Sequence, residues 1–250
     1  MTDKSNGYFE AFVNSRATTV GVTEKALMTQ VVPLVQRVVP RSQVRWAGSQ
    51  RKGTAVMGSD LDMCVESTDP VTEALRRDLR AALEAGLGRP VHVRAHVVRV
   101  GATSGLPKLD IAFANAAFGS RPLPDLSEFK DQRGRQAAAR ALKLWTRGGG
   151  LPRIGGWAWE ALVVHLDAPR GRGGLDLFQR IVGWLESTAT PAALDGVLRH
   201  ANQGRWNPVW SSGVPGTLEA LRNHAKALRR RSPPPEGWKS PDDVGRWLCP

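Results

Sequence analysis

At 250 residues, 41% hydrophobic and 23% charged, the chain has the composition of an ordinary globular protein, with enough length to bury a core as one domain or as two packed lobes. No apolar run is long enough to cross a bilayer, and the opening Met1-Thr2-Asp3-Lys4-Ser5-Asn6 lacks the basic-then-apolar pattern of a secretory leader, so neither a membrane partner nor an export signal is expected. Lysine and arginine outnumber aspartate and glutamate by 35 to 23, a net charge of +12 that attracts RNA or another polyanion.

The two cysteines, Cys64 and Cys249, have neither metal-ligand nor redox spacing, which points to the cytoplasm and away from a zinc site or a disulfide framework. Residues 7–16 and 23–39 read as helices, from the spacing of Phe9, Phe12 and Val13 and of Leu27, Val31, Leu34 and Val38. Pro33 is expected to bend or interrupt the second of them. A short strand through Val44, Trp46 and Ala47 then delivers the chain to Gly48, and residues 61–66 read as a second strand. Asp69-Pro70 opens a helix over 71–86 that Gly86 closes. Residues 91–100 alternate apolar with polar and predict one strand with a wet face, and residues 108–113 predict another. From about residue 126 the pattern turns helical, over 133–147, 155–167, 174–186 and 215–231, before a proline-rich tail that begins at Ser232. The expected architecture is α+β. A mixed-sheet α/β catalytic lobe with its N-terminal helices fills 1–125, a helical lobe 126–231 and the tail 232–250, with the active site in the cleft between the lobes.

The chemistry is concentrated in Gly48-Ser49-Gln50-Arg51-Lys52-Gly53-Thr54-Ala55 and, just beyond it, Ser59-Asp60-Leu61-Asp62. Asp60 and Asp62 are two residues apart, so on a strand both carboxylates share one face while Leu61 and Met63 take the other. A third acid is expected on a neighbouring strand, and Asp110, flanked by Leu109 and Ile111, fits. Such a set suits two Mg²⁺ or Mn²⁺ ions, since these hard cations take carboxylate, water and substrate phosphate oxygens. An Asp-x-Asp pair alone is a weak signal, more often a turn acid and a solvated strand face than a metal site. The neighbouring turn changes that balance. Gly48 lets the backbone approach a phosphate, Ser49 offers a hydroxyl and an N–H, and Arg51 and Lys52 add positive charge. The order Lys-Gly-Thr is not that of a Walker A loop.

Together these residues resemble the polymerase-β-like nucleotidyltransferases, and within them the branch of oligoadenylate synthetases, archaeal CCA-adding enzymes and bacterial cyclic-oligonucleotide synthases. The resemblance extends to Leu142-Lys143-Leu144-Trp145, to Leu151-Pro152, and to the helix Trp157-Ala158-Trp159-Glu160-Ala161-Leu162. It implies that Asp60, Asp62 and Asp110 hold the metals and perform catalysis. It also implies that Gly48, Ser49, Lys52 and Lys143 bind the triphosphate, and that Asn207, in Trp206-Asn207-Pro208, lies near the base. Two departures stand out: Gly156 replaces a serine common in bacterial relatives, and Asn207 replaces an aspartate.

The expected function is template-independent nucleotidyl transfer from NTP with release of pyrophosphate. The expected product is a cyclic or short linear oligonucleotide for anti-phage signalling. The alternatives are an RNA or tRNA 3′-end nucleotidyltransferase, which suits the +12 charge, and an idle nucleotide or RNA sensor on the same scaffold. Among nine tryptophans, Trp145, Trp157, Trp159 and Trp184 read as core, and Trp206 and Trp210 as either packing or base-stacking residues. His92 and His96 read as a polar strand face. Arg229-Arg230-Arg231 is either a solvated helix end or a polyanion contact. The sequence sets no oligomeric state.

Overall fold

A computed structural model describes residues 3–18, 21–68, 70–94, 97–103, 106–114, 128–148, 155–167, 171–201, 208–231 and 234–249. The chain divides into two compact units, Thr18–Leu126 and Met1–Ala17 with Ser127–Pro250.

In the unit Thr18–Leu126, helix α2 (Val22–Val38) leads into strand β1 (Gln43–Trp46), the short helix α3 (Gly48–Lys52) and strand β2 (Leu61–Glu66). Helix α4 (Glu73–Leu87) follows, then strands β3 (Val91–Val93), β4 (Val97–Val100) and β5 (Leu109–Ala114). The five strands run in the order β1-β2-β5-β4-β3, with β2 and β5 parallel and the other pairs antiparallel. Alternation decides the faces. Leu61, Met63 and Val65 of β2, Leu109 and Ile111 of β5, and Val98 and Val100 of β4 are buried in one cluster with Leu27, Val31 and Val35 of α2 and Leu79 and Leu83 of α4. The residues between them, Asp62, Arg99 and Asp110, therefore occupy the face opposite the two helices.

Three expectations change here. Helix α2 runs through Pro33 without a break. The proline is exposed, so the carbonyl that its missing N–H leaves unbonded faces water. Helix α4 begins later than expected, where Thr72 Oγ1 accepts from the Leu75 N–H at 3.1 Å, and stops at Gly88, which takes the left-handed conformation; Gly86 lies inside it. The alternating run 91–100 is two strands, paired Val91 with Val100 and Val93 with Val98, and the Arg94 N–H donates to the Val97 carbonyl at 2.9 Å. The consecutive Val97 and Val98 break the period of two, so one continuous strand would put a valine of the second half on the wet face. His96 lies outside the described residues, and His92 is exposed on β3.

The second unit is helical: α1 (Asp3–Ser15), α5 (Arg133–Gly148), α6 (Gly156–Leu166), α7 (Gly174–Gly183), α8 (Pro191–Ala201), α9 (Pro208–Arg229) and α10 (Pro241–Leu248). Helix α7 widens into a π turn over Trp184–Thr188. Helix α1, which the sequence pattern grouped with the first lobe, buries Phe9, Phe12 and Val13 among these helices. Trp145 and Trp159 are fully buried, and Trp157 and Trp184 pack partly buried against the same core. The segment read as a tail ends in α10, capped where Asp243 accepts from the N–H groups of Lys239 and Ser240 at 2.7 and 3.0 Å. Trp247 of α10 makes edge-to-face contacts with Phe178 and Trp238 at centroid distances of 5.8 and 5.2 Å. Arg231 donates to the Trp247 and Leu248 carbonyls, and Arg229 pairs with Glu186 at 2.7 Å, so two members of the terminal arginine run serve the fold. Among the described residues no helix is long and apolar enough to cross a membrane.

Candidate active site

The parallel pairing of β2 with β5 sets Asp62 directly beside Asp110, and the antiparallel pairing of β4 with β5 sets Arg99 beside Asp110 on its other side. Neighbouring side chains in such a row stand about 5 Å apart. The sheet thus lays out Asp62, Asp110 and Arg99 in line on the face opposite α2 and α4. Arg99 grips Asp110 with both arms of its fork, Nε to Oδ1 and Nη2 to Oδ2, each at 2.7 Å. Asp60 sits one residue ahead of β2, and Lys108 Nζ meets its Oδ2 at 2.7 Å. Hydrogen bonding to Asp110 raises the guanidinium pKa of Arg99 above its ordinary value. Burial pulls the other way, and the charges of Asp110, Asp60 and Asp62 add to the rise. Arg99 therefore feels all three acids.

The turn is built against the same carboxylates. The Ala47 N–H donates to the Asp62 carbonyl at 2.8 Å, which fixes where the chain leaves β1. Gly48 then turns with φ of +57°, and a Cβ placed there would lie 2.0 Å from Asp62 Oδ2. Only glycine fits: its conformation is left-handed and the acid stands where a side chain would go. Gly53, also left-handed at φ of 68°, ends the short helix, and the Thr54 N–H closes the loop on the Ser49 carbonyl at 2.9 Å. Gly48 and Ser49 are half-buried. Lys52, expected among the triphosphate contacts, is buried at 4% exposure. A second turn brings the chain back, its Val56 N–H donating to Ser59 Oγ at 3.1 Å, just before Asp60.

Lys143 belongs to the helical unit, where its Nζ pairs with Glu160 Oε1 at 2.8 Å, with side-chain exposures of 7% and 6%. Gly156 accommodates that lysine, since a Cβ there would lie 3.0 Å from Lys143 Cε. The serine-to-glycine departure thus has a local cause. Asn207, Trp206, Leu151 and Pro152 lie outside the described residues, as does the side chain of Trp210.

Sequence reading missed Arg99 and Lys108. The signal for Arg99 was its place between Val98 and Val100, which sets it on the same face as the acids once the strand register is known. Among the described residues no three histidine, cysteine or acidic side chains already form a metal centre, and two cations hold the acids instead. The donor set nevertheless fits Mg²⁺, which needs only one or two carboxylate oxygens beside water and phosphate.

With this geometry in view, the comparisons are specific about chemistry. Residues 29–112, which span α2 to β5, match the model of the nucleotidyltransferase domain. The matched stretch holds β1 to β4 and most of β5, and with them Asp60, Asp62 and Asp110. The fold, a mixed five-stranded sheet with a helical unit, is one that solved nucleotidyltransferases share. It is similar to a cytoplasmic RNA terminal U-transferase (14% identity, TM-score 0.65, covering 93% of this chain and 96% of that one). It is also similar to the Cid1 poly(U) polymerase solved with Mg and 3′-dATP (12%, 0.68, 92% and 96%) and to the non-canonical poly(A) polymerase complex GLD-2–GLD-3 (11%, 0.65, 92% and 96%). No curated protein is similar to it in sequence. The expected nucleotidyltransferase fold is thus observed, and the neighbours named here are RNA-terminal polymerases, not members of the oligoadenylate synthetase branch.

Proposed function

We propose that the chain adds nucleotides to the 3′ end of RNA, taking NTP and releasing pyrophosphate without a template. The observation that carries the transfer chemistry is the Asp62–Asp110 pair, side by side on the open sheet face with Gly48 packed against Asp62. RNA as acceptor is supported by the RNA-terminal activities of the structural neighbours and by the +12 charge. Those two supports favour it over the small-oligonucleotide product.

In this reading the backbone at Gly48 and Ser49 holds the triphosphate, with the Ser49 hydroxyl as a further donor. Asp60, Asp62 and Asp110 hold Mg²⁺ or Mn²⁺, which when bound offsets phosphate charge and polarises the phosphoryl group. The RNA 3′-oxygen forms its bond to the α-phosphorus as the bond from that phosphorus to the bridging oxygen of the β-phosphate breaks. The two terminal phosphates leave as pyrophosphate. Asp110, oriented through both oxygens by Arg99, takes the proton of the attacking hydroxyl. Lys108 and Arg99 balance the acid row until metal and nucleotide arrive. Lys143, closed off with Glu160, orders the helical unit.

The test supplies each α-³²P NTP with Mg²⁺ or Mn²⁺, with and without an RNA oligonucleotide, in parallel with the same RNA blocked by a 3′-phosphate. Label on the free-ended RNA alone is the expected result. A phosphatase-resistant small product formed without RNA would overturn the acceptor assignment in favour of an oligonucleotide synthase. Tight binding without pyrophosphate release would reduce the chain to a sensor.

A further inference from the structure

The proposed transfer leaves a second cationic feature unused, on the polar face of α5. Arg133, Arg140 and Arg147 recur every seven residues, about two turns, so they lie along one face of the helix over about 21 Å. Arg133 and Arg147 are exposed and Arg140 is half-buried. The opposite face, with Ala138, Ala141, Leu142 and Trp145, is core. Between this helix and α1 lies a groove of about 270 Å³ lined by Glu10, Asn14, Arg133, Gln136, Ala137 and Arg140.

The electrostatics of that groove are incomplete. Arg140 donates through Nη1 to the neutral Asn14 Oδ1, while its Nε is buried with no partner. Burial pulls its pKa down, with no carboxylate to oppose the shift. Glu10, the one acid in the groove, is engaged by neutral donors, the Asn6 amide at 3.0 Å and the Gly174 N–H at 3.4 Å. Arg135 on the same helix shows what a settled arginine looks like: it binds both Asp167 and Glu128. A desolvated guanidinium beside a groove is stabilised by an anion whose oxygens match its fork. With two arginines against one engaged carboxylate, the groove suits a singly charged group.

We infer that this groove and the arginine line on α5 bind backbone phosphodiesters of the RNA strand whose 3′ end the enzyme extends. This rests on the RNA-extending reading above. The contacts are to backbone phosphates, so they favour no base sequence.

The test measures binding of a fluorescein-labelled RNA oligonucleotide to the full chain by anisotropy at several KCl concentrations. Wild type is compared with Arg140→Met and with Arg133→Gln, whose exposed position keeps the test decisive if the first variant fails to fold. NTP affinity is measured alongside. Each variant should weaken RNA binding about tenfold, alike for all sequences. Each should also lower the slope of log affinity on log salt by about 0.7, one lost single-strand phosphate contact. If the wild type binds and extends RNA while both variants keep its affinity and slope, the groove assignment is overturned and the RNA-extending function stands. Loss of NTP affinity with RNA affinity intact would overturn it too, giving the groove to free nucleotide. If the wild type itself binds no RNA and makes a small product, the functional reading fails first.

Discussion

The two units use the same chemical pair, a cation against a carboxylate, in opposite ways. In the core of the helical unit two pairs are sealed, Lys143 with Glu160 and Arg135 with Asp167, the latter 4% and 2% exposed and joined at 2.6 Å. In the sheet unit they stand more open, on the face opposite α2 and α4, Arg99 with Asp110 at 29% and 15% exposure, and Lys108 with Asp60 more exposed still. A sealed pair has no other partner to turn to, so its loss strands a charge. An open pair exchanges with water and ions at little cost, which is what carboxylates need if metal and triphosphate are to displace their cations.

The largest effect that this contrast predicts is on catalysis. Asp62→Asn keeps the shape and removes the charge next to the phosphate turn. Loss of metal-assisted charge stabilisation worth several kcal/mol lowers turnover by about a thousandfold or more. The melting temperature should stay close to wild type. A variant that keeps a tenth of wild-type activity would take Asp62 out of the metal set.

Next come the pairs themselves, compared by denaturant unfolding. Arg135→Met leaves Asp167 buried and uncompensated, and should cost about 3–5 kcal/mol. Arg99→Met, which breaks an equally well-formed two-arm contact in a half-open setting, should cost about 1 kcal/mol or less. Equal costs would break the comparison, because they would make the acid row a structural element like the sealed pairs. Between these two lies Gly48→Ala. The left-handed backbone alone costs about 1–2 kcal/mol, and the added carbon displaces Asp62, so activity should fall well beyond the stability loss. Wild-type kcat in that variant would show that the turn and the acid work independently.

This contrast also explains what could be read from the sequence. The sheet unit was legible because a strand writes its faces into every second residue: Leu61-Asp62-Met63 and Leu109-Asp110-Ile111 announce both core and site. The glycine-serine turn next to them is short and local, so its residues could be named without a structure. Arg99 was hidden because its partner depends on pairing between strands, and because 91–100 looks like one strand when Val97 and Val98 mark a reversal. In the helical unit, α5 and α7 carry their apolar period openly, while α6 is apolar nearly all round. Helix α10 carries the same spacing in Val244, Trp247 and Leu248, but it is only eight residues long behind a proline-rich stretch, and its packing is supplied by distant Phe12 and Phe178. Sealed pairs such as Arg135 with Asp167 join residues 32 apart, and no local pattern marks them.

The smallest predicted effect belongs to the helical core. His224 lies tilted against Trp145 at a centroid distance of 5.5 Å, and burial, with the nearby charge of Arg231, lowers its pKa below the ordinary value. The folded protein thus holds this imidazole neutral at a pH where the unfolded chain has begun to protonate it. Stability is full above the unfolded value of about 6.5 and declines as pH falls from there to the lower folded value, because the unfolded state binds the proton first. The carboxyl of Asp243, whose pKa is lowered by the Lys239 N–H and the Arg246 side chain, acts below the ordinary carboxylate range, so the two windows do not overlap. Unfolding measured between pH 7.5 and about 5 should lose stability in the wild type and lose less in His224→Gln. Identical slopes in the two proteins would mean that the imidazole is free to protonate in the fold, and that the aromatic core around Trp145 is more open to water than its sealed neighbours Lys143 and Glu160 imply.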